Sequence, residues 1–196
     1  MVKIATIMLT LNEEPRVADA LKQFKPHVDY ILVVDGESTD KTVELAKKYA
    51  NKVVIRAFSG SFAAEKNYAR TLVPKDCNWL LYFDADEIWD KGFLWNMTNK
   101  LKEVEESFGI GVFRFPRVNL PDAKNYPDYQ CRLFPNSRDI QWKGDIHEIP
   151  WFMPEDIPLD HVDKAERKKK TPVLNADTYP IIHLPRRTDI KRSWWQ

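Results

Sequence analysis

Cysteine, net charge, long apolar runs and glycine are all scarce in this chain, and each scarcity removes a class of protein. Only two cysteines occur, Cys77 and Cys131. They are too few and too isolated for a metal knuckle or a disulfide framework, so both read as small buried hydrophobes. The 30 basic residues are balanced by 29 acidic ones for a formal charge of +1, which leaves no electrostatic footprint for nucleic acid. No stretch approaches the roughly 18 apolar residues of a membrane span. Met1 to Leu11 hold one lysine and a short apolar run, without the charged start, long apolar middle and small-residue cleavage site of a secretory signal. A cytoplasmic protein is the expectation. Six glycines stand against 13 prolines, and the first polar loop, TLNEE from Thr10 to Glu14, contains none. That loop is unlike those that grip a triphosphate through backbone amides.

What is present is apolar material for a core: 43% of 196 residues are hydrophobic, and the length suits one domain over 1–196. Val2 to Leu9 (VKIATIML) is a continuous β-prone run that suits a strand buried on both faces. Asn12 stands as a helix cap before Glu13, Glu14 and Pro15, and Val17, Leu21 and Phe24 recur at helical spacing. The unit repeats as a strand at Tyr30–Val34, a loop at Asp35–Thr39 and a helix at Asp40–Tyr49. A strand at Val53–Ala57 leads to a helix at Phe62–Leu72, and a strand at Trp79–Phe83 stops at Asp84. Strands alternating with helices predict an α/β fold with a mostly parallel sheet flanked by helices on both faces. After a helix over Lys91–Ser107 the texture changes. Ile110–Arg117 and Tyr129–Phe134 read as strands, and from Pro150 onward the chain is proline-rich and irregular.

A sheet of this kind gathers its ligand at the carboxyl ends of its strands. The polar residues at those ends are Thr10, Asn12, Glu13, Asp35, Ser38, Asp40, Asp84, Asp86 and Glu87. Asp84 and Asp86, two residues apart beyond an apolar strand, can face one cleft, and hard oxygen ligands suit Mg²⁺ or Mn²⁺. A solvated acidic loop is the plain alternative. Asp35 can accept hydrogen bonds from a ribose or base, while Ser38, Thr39 and Asp40 are competent caps.

TLNEE (Thr10–Glu14), VVDGESTDKT (Val33–Thr42), the helix with Lys66, Asn67 and Ala69, FDADE (Phe83–Glu87) and WKGDIHE (Trp142–Glu148) occur in the order used by glycosyltransferase family 2, which the chain resembles. The resemblance implies a GT-A fold: a Rossmann-like, mostly parallel central sheet with a smaller acceptor-side β region. Residues 1–108 would form the nucleotide-sugar-binding half and 109–196 the acceptor half. It implies that Thr10, Asn12, Glu13, Asp35 and Ser38 surround the nucleoside, with Lys66 near the nucleotide and Asp84 on the ribose or sugar. Asp86 would be the principal ligand of Mn²⁺ or Mg²⁺, joined by Asp84 and His147. Glu148 matches the family's later acidic position and would be the catalytic base of an inverting transfer, with Asp145 second.

The chain departs from the family in carrying Glu37 where a second glycine or serine is usual. It is also short, and similar in this to compact enzymes found among archaeal viruses, which implies a host cytoplasm if the source is viral. His161 lacks support from any motif. His183, flanked by Ile181, Ile182 and Leu184, reads as a packed side chain, although a C-terminal histidine reaches the metal in some GT-A enzymes. Arg167–Lys170 (RKKK) reads as a solvated face, with an anionic acceptor or lipid headgroup as the alternative. Trp194 and Trp195 are aromatics that stack on sugars, touch a membrane surface or cover core.

The implied partners are a nucleotide-diphosphate sugar and a glycan, lipid-linked or protein acceptor. Peripheral membrane contact is open, and no transmembrane segment is expected. The rival classes are a sugar-nucleotide nucleotidyltransferase, which the glycine-free first loop disfavours, and a carbohydrate-binding or assembly protein without turnover. A dehalogenase-type phosphatase would carry its Asp-x-Asp near the N-terminus and continue to a threonine, whereas Glu87 and Ile88 follow here.

Overall fold

The computed structural model describes residues 1–108, 111–123, 126–144, 148–154, 156–159 and 173–185. Along the chain these form β1 (Ile4–Thr10), α1 (Val17–Phe24), β2 (Tyr30–Asp35), α2 (Thr42–Ala46), β3 (Lys52–Ile55), α3 (Phe62–Thr71), β4 (Trp79–Tyr82), β5 (Glu87–Ile88) and α4 (Lys91–Phe108). There follow β6 (Val112–Asn119), β7 (Asp128–Pro135), β8 (Ile140–Lys143), β9 (Ile149–Phe152), β10 (Ile157–Pro158), β11 (Val173–Asn175) and β12 (Ile181–His183).

The main sheet runs β3-β2-β1-β4-β7-β6-β12-β5, with β11 also on β6. Its first four strands are parallel, β7 joins β4 antiparallel, and β6 pairs antiparallel with β7. The sheet thus continues across position 108 without a break, because β7 lies directly against β4. A small antiparallel sheet, β10-β9-β8, stands apart. The chain leaves β1 toward β2 on one side and returns to β4 on the other. That change of direction opens a crevice at the carboxyl ends of β1 and β4, the place where such sheets bind ligands.

The continuous apolar runs are strands covered on both faces. In β4 and the residue after it, Trp79, Leu81 and Phe83 enter one core while Leu80 and Tyr82 enter the other. In β2, Ile31 and Val33 alternate in the same way with Leu32 and Val34. This two-residue period is the geometry of a strand expressed as burial. The first core is covered by α1, through Val17, Ala20, Leu21 and Phe24, and by α4, through Phe93, Leu94, Met97 and Leu101. The second is covered by Ala63, Ala69 and Val73 in and after α3, together with Ile140 and Trp142 of β8. Cys77 and Cys131 are buried and no disulfide joins them, as their isolation suggested. Among the described residues no helix is long and apolar enough to cross a membrane.

Three local expectations are corrected. Asn12 does not cap α1, which begins at Val17; its backbone is left-handed, with φ 54°, and its side chain turns to the loop after β2. The helix expected at Asp40–Tyr49 is only Thr42–Ala46; Asp40 stands before it and accepts from the amide of its first residue, Thr42, at 2.9 Å, and residues 47–49 form a turn. The irregular stretch after Pro150 supplies β9 to β12, and β12 returns to the main sheet between β6 and β5.

Phe93 joins α4 to the sheet, with its ring 4.8 Å from that of Phe115 and 5.4 Å from that of Tyr179. Phe93→Ala is expected to lower the unfolding free energy by about 3–5 kcal/mol in urea denaturation, through lost transfer energy and the cavity left behind.

Candidate active site at the carboxyl edge of the sheet

Three polar clusters lie along this edge. The first joins the loops after β1 and β2 through the buried carboxylate of Asp35. Its Oδ1 accepts from the Ser38 amide at 2.8 Å, and its Oδ2 accepts from Thr10 Oγ1 at 2.9 Å and Ser38 Oγ at 2.6 Å. Ser38 Oγ in turn accepts from the Asn12 amide at 2.8 Å, and Asn12 Oδ1 accepts from the Thr39 amide at 2.9 Å. The Glu13 amide donates to Thr42 Oγ1 at 2.8 Å, and the Glu14 amide donates to Asp40 at 3.1 Å. Each loop therefore satisfies the other's backbone, as buried polar groups require. Glu37 sits at φ 67°, a left-handed conformation that glycine adopts without a Cβ penalty and glutamate does not. Thr10, Asn12, Glu13, Asp35 and Ser38 are thus brought together, with Asp35 already accepting from three protein donors.

The second cluster surrounds the turn after β4. Arg132 of β7 reaches under this turn, donating to Asp84 Oδ2 at 2.8 Å and also to Glu87 Oε1. Its side chain is only 5% exposed, that of Glu87 is fully buried, and that of Asp84 remains 43% exposed. Burial works against ionisation of Asp84, but the charge of Arg132, helped by Lys66 and His183, outweighs it and holds the carboxyl well below its usual range. For Glu87 burial wins: with Asp84 and Asp86 adding repulsion, its carboxyl is pushed up despite Arg132. Asp86 points the other way. Its Oδ2 lies 3.5 Å from His183 Nε2 and 3.8 Å from an Arg16 guanidinium nitrogen. The Leu184 amide donates to the Asp86 carbonyl at 2.8 Å, so the segment after β12 is tied to the same turn.

The third cluster forms where α3 meets β8 and β9. Lys66 Nζ pairs with Glu148 Oε1 at 2.5 Å and lies 4.0 Å from the ring centre of Trp142. Asn67 fixes that meeting by donating to the Trp142 carbonyl at 2.9 Å and accepting from its amide at 3.0 Å. Asp145 and His147 lie outside the described residues, as do His161, the 167–170 basic run and the terminal tryptophans.

The donor set around Asp86 suits a divalent cation of the Mn²⁺ or Mg²⁺ type. One carboxylate and one imidazole at 3.5 Å can share an ion that takes its remaining ligands from water and phosphate oxygens. Among the described residues no group of three or more such side chains is placed to hold a metal ion.

His183 is therefore not the purely packed residue its apolar neighbours suggest; it is 22% exposed and directed at Asp86. Arg132 and Arg16 are further participants that motif reading passed over, and Glu87, read only as a strand-end acid, is the buried partner of Arg132. For Arg132 a signal existed, since a charge within the otherwise apolar run Cys131–Phe134 needs a buried partner. For Arg16, in the turn before α1, none did.

A mostly parallel α/β sheet with carboxylates at its switch point is a GT-A-like fold. The family model described as Glycosyl transferase family 2 matches residues 6–153, and the chain belongs to that family. Similar solved structures are S. aureus TarS, with TM-score 0.61 and 16% identity over 93% of this chain and 60% of that one. Another is glucosyl-3-phosphoglycerate synthase from Mycobacterium tuberculosis in complex with Mn²⁺, UDP and phosphoglyceric acid, with TM-score 0.61 and 16% identity over 96% and 72%. By sequence, an uncharacterized glycosyltransferase of Rickettsia typhi is 41% identical over 87 residues, which is 44% of this chain and 29% of that protein. Glycosyltransferase SunS of Bacillus phage SPbeta is 25% identical over 157 residues, covering 79% of this chain and 36% of the other. The chain thus spans about a third of the length of these relatives or less.

At the start of β7, where it follows the connection from β6, Asp128 accepts from Arg117 Nε at 3.0 Å and its terminal nitrogen at 2.6 Å, and from Gln130 at 2.9 Å. Burial would raise this carboxyl, but Arg117 with Asn119 and Gln130 outweighs it and holds it below its usual value. A depressed carboxyl contributes stability that is present above the unfolded aspartate value of about 3.9 and lost as pH falls through the folded one. Wild type should therefore exceed Asp128→Asn in stability near neutral pH. In urea denaturation the gap should close as pH is lowered from about 5 to about 2.

Proposed function

We propose that this domain is a metal-dependent glycosyltransferase catalytic unit that passes a sugar from a nucleoside-diphosphate donor to an acceptor hydroxyl with inversion. The observation that carries the reading is that the Asp86–His183 and Glu148–Lys66 pairs both lie near the half-exposed Asp84, whose carboxyl feels the charges of Lys66 and His183. In this reading Thr10, Asn12, Glu13, Asp35 and Ser38 shape the wall against the nucleoside, and Asp84 meets the ribose or sugar. Asp86 and His183 hold Mn²⁺ or Mg²⁺, with His147 as a further candidate ligand. A cation held there would supply positive charge against the departing nucleoside diphosphate.

Glu148 takes the acceptor hydroxyl proton as that oxygen bonds to the anomeric carbon and the bond from that carbon to the diphosphate oxygen breaks. Lys66 orients it by holding Oε1, and Oε2 is the oxygen that would take the proton. Asp145 is the second candidate for this role. The acceptor is a glycan, a lipid-linked or a protein hydroxyl, held by the side of the cleft built from residues beyond 109. The TarS and synthase likenesses support the fold, and the UDP and Mn²⁺ of the synthase complex make that pair the first probe.

Calorimetric titration with UDP, and in parallel GDP, in the presence of Mn²⁺ should give saturable binding of one of them that a chelator abolishes. Asp86→Asn is expected to lose this binding; full affinity in that variant would remove the metal assignment. Glu148→Gln is expected to keep donor binding while turnover falls by about 10²–10⁴-fold in a sugar-transfer assay. Failure of the wild-type protein to bind either nucleotide would overturn the enzymatic reading in favour of an assembly role.

A further inference from the structure

We propose that Arg132 is a positioning residue that sets the orientation of the Asp84–Asp86 turn from beneath, and so governs affinity for the donor and its cation without touching either. The inference rests on reading this edge as a metal and nucleotide site. Strand β7 runs antiparallel to β4 with Leu133 opposite Leu81, so Arg132 emerges under the turn that follows β4. Its flanking residues Cys131, Leu133 and Phe134 are core. The side chain is 5% exposed, and from this position it contacts Asp84 and Glu87 together.

Glu87 completes the clamp from the other end. It is fully buried and accepts from the Asp84 amide at 3.2 Å and from Trp89 Nε1 at 3.2 Å. The first residue of Asp84-Ala85-Asp86 is therefore held at both its backbone and its side chain, and the last is held at its carbonyl by Leu184. Three acids within four positions would otherwise repel one another and a diphosphate. One buried guanidinium offsets that repulsion while leaving the open side of Asp84 toward the cleft. Stability alone does not call for this charge, because a buried ion pair replaced by apolar or neutral groups of similar volume is often no less stable.

The single variant Arg132→Met strands Glu87 as an uncompensated buried charge, so it is compared with the double variant Arg132→Met/Glu87→Gln, in which the pair is neutral. Arg132→Lys keeps the charge but loses the planar fork that spans two partners. Each is followed by thermal unfolding, by binding of Mn²⁺ alone in electron paramagnetic resonance, and by calorimetry with UDP and GDP in Mn²⁺. The expected result is a double variant that melts within a few degrees of wild type yet binds Mn²⁺ and nucleotide about 10- to 100-fold more weakly, as loss of an outer-shell partner does at metal sites. Arg132→Lys should fall between the two. Wild-type affinity in a folded double variant or in Arg132→Lys would overturn the proposal and leave the functional reading intact. Absence of binding in wild type itself would remove both.

Discussion

A guanidinium taken out of water at Arg132 is the constraint around which this molecule is arranged. Removing such a charge from solvent costs several kcal/mol unless carboxylates meet it with good geometry. Here the cation is carried by β7 and the carboxylates of Asp84 and Glu87 by the turn after β4. The pairing is satisfied only when the antiparallel strands close against the parallel ones. The second half of the chain is thereby committed to the same geometry that points Asp86 toward His183.

The same rule shapes the rest of the edge. Asp35 is buried and meets three donors, from the end of β1 and from the loop after β2, so the two cannot drift apart without abandoning a buried carboxylate. That closure also holds Asn12 and Glu37 in left-handed backbone conformations, which cost energy and persist only where the surroundings over-determine them. Lys66 is buried against Trp142 and pairs with Glu148, which ties α3 to β8 and to the residue that leads into β9. Three charged knots thus pin loops onto a sheet whose apolar faces are both covered. A rigid scaffold presenting polar loops at one edge is the usual way to hold reacting groups in fixed relation.

Much of this was legible in the residues. The runs VKIATIML, YILVV and WLLYF declared strands covered on both faces, because apolar side chains on both alternating sets of positions leave little for water. The spaced motifs from Thr10 to Glu148 marked the edge and the family, and the structure does gather Thr10, Asn12, Asp35 and Ser38. Less legible were the local conformations. Asn12 has the chemistry of a helix cap and uses it instead for loop closure, while Asp40 does both, accepting from the first amide of α2 with one oxygen and from the Glu14 amide with the other. His183 looked packed because its neighbours are apolar. Its place beside Asp86 depends on β12 pairing with both β6 and β5, which lie far away in sequence.

The sequence by itself determined the alternation of strands and helices, the burial of the parallel sheet and the family of the carboxylate motifs, all of which are carried by neighbouring residues and their spacing. Only the tertiary structure decided that Arg132 clamps Asp84 and Glu87, that His183 and Arg16 flank Asp86, and that Lys66 holds Glu148. Those meetings depend on strand register and on a chain that must bury its charges in pairs, and the partners become neighbours only when the whole sheet has closed.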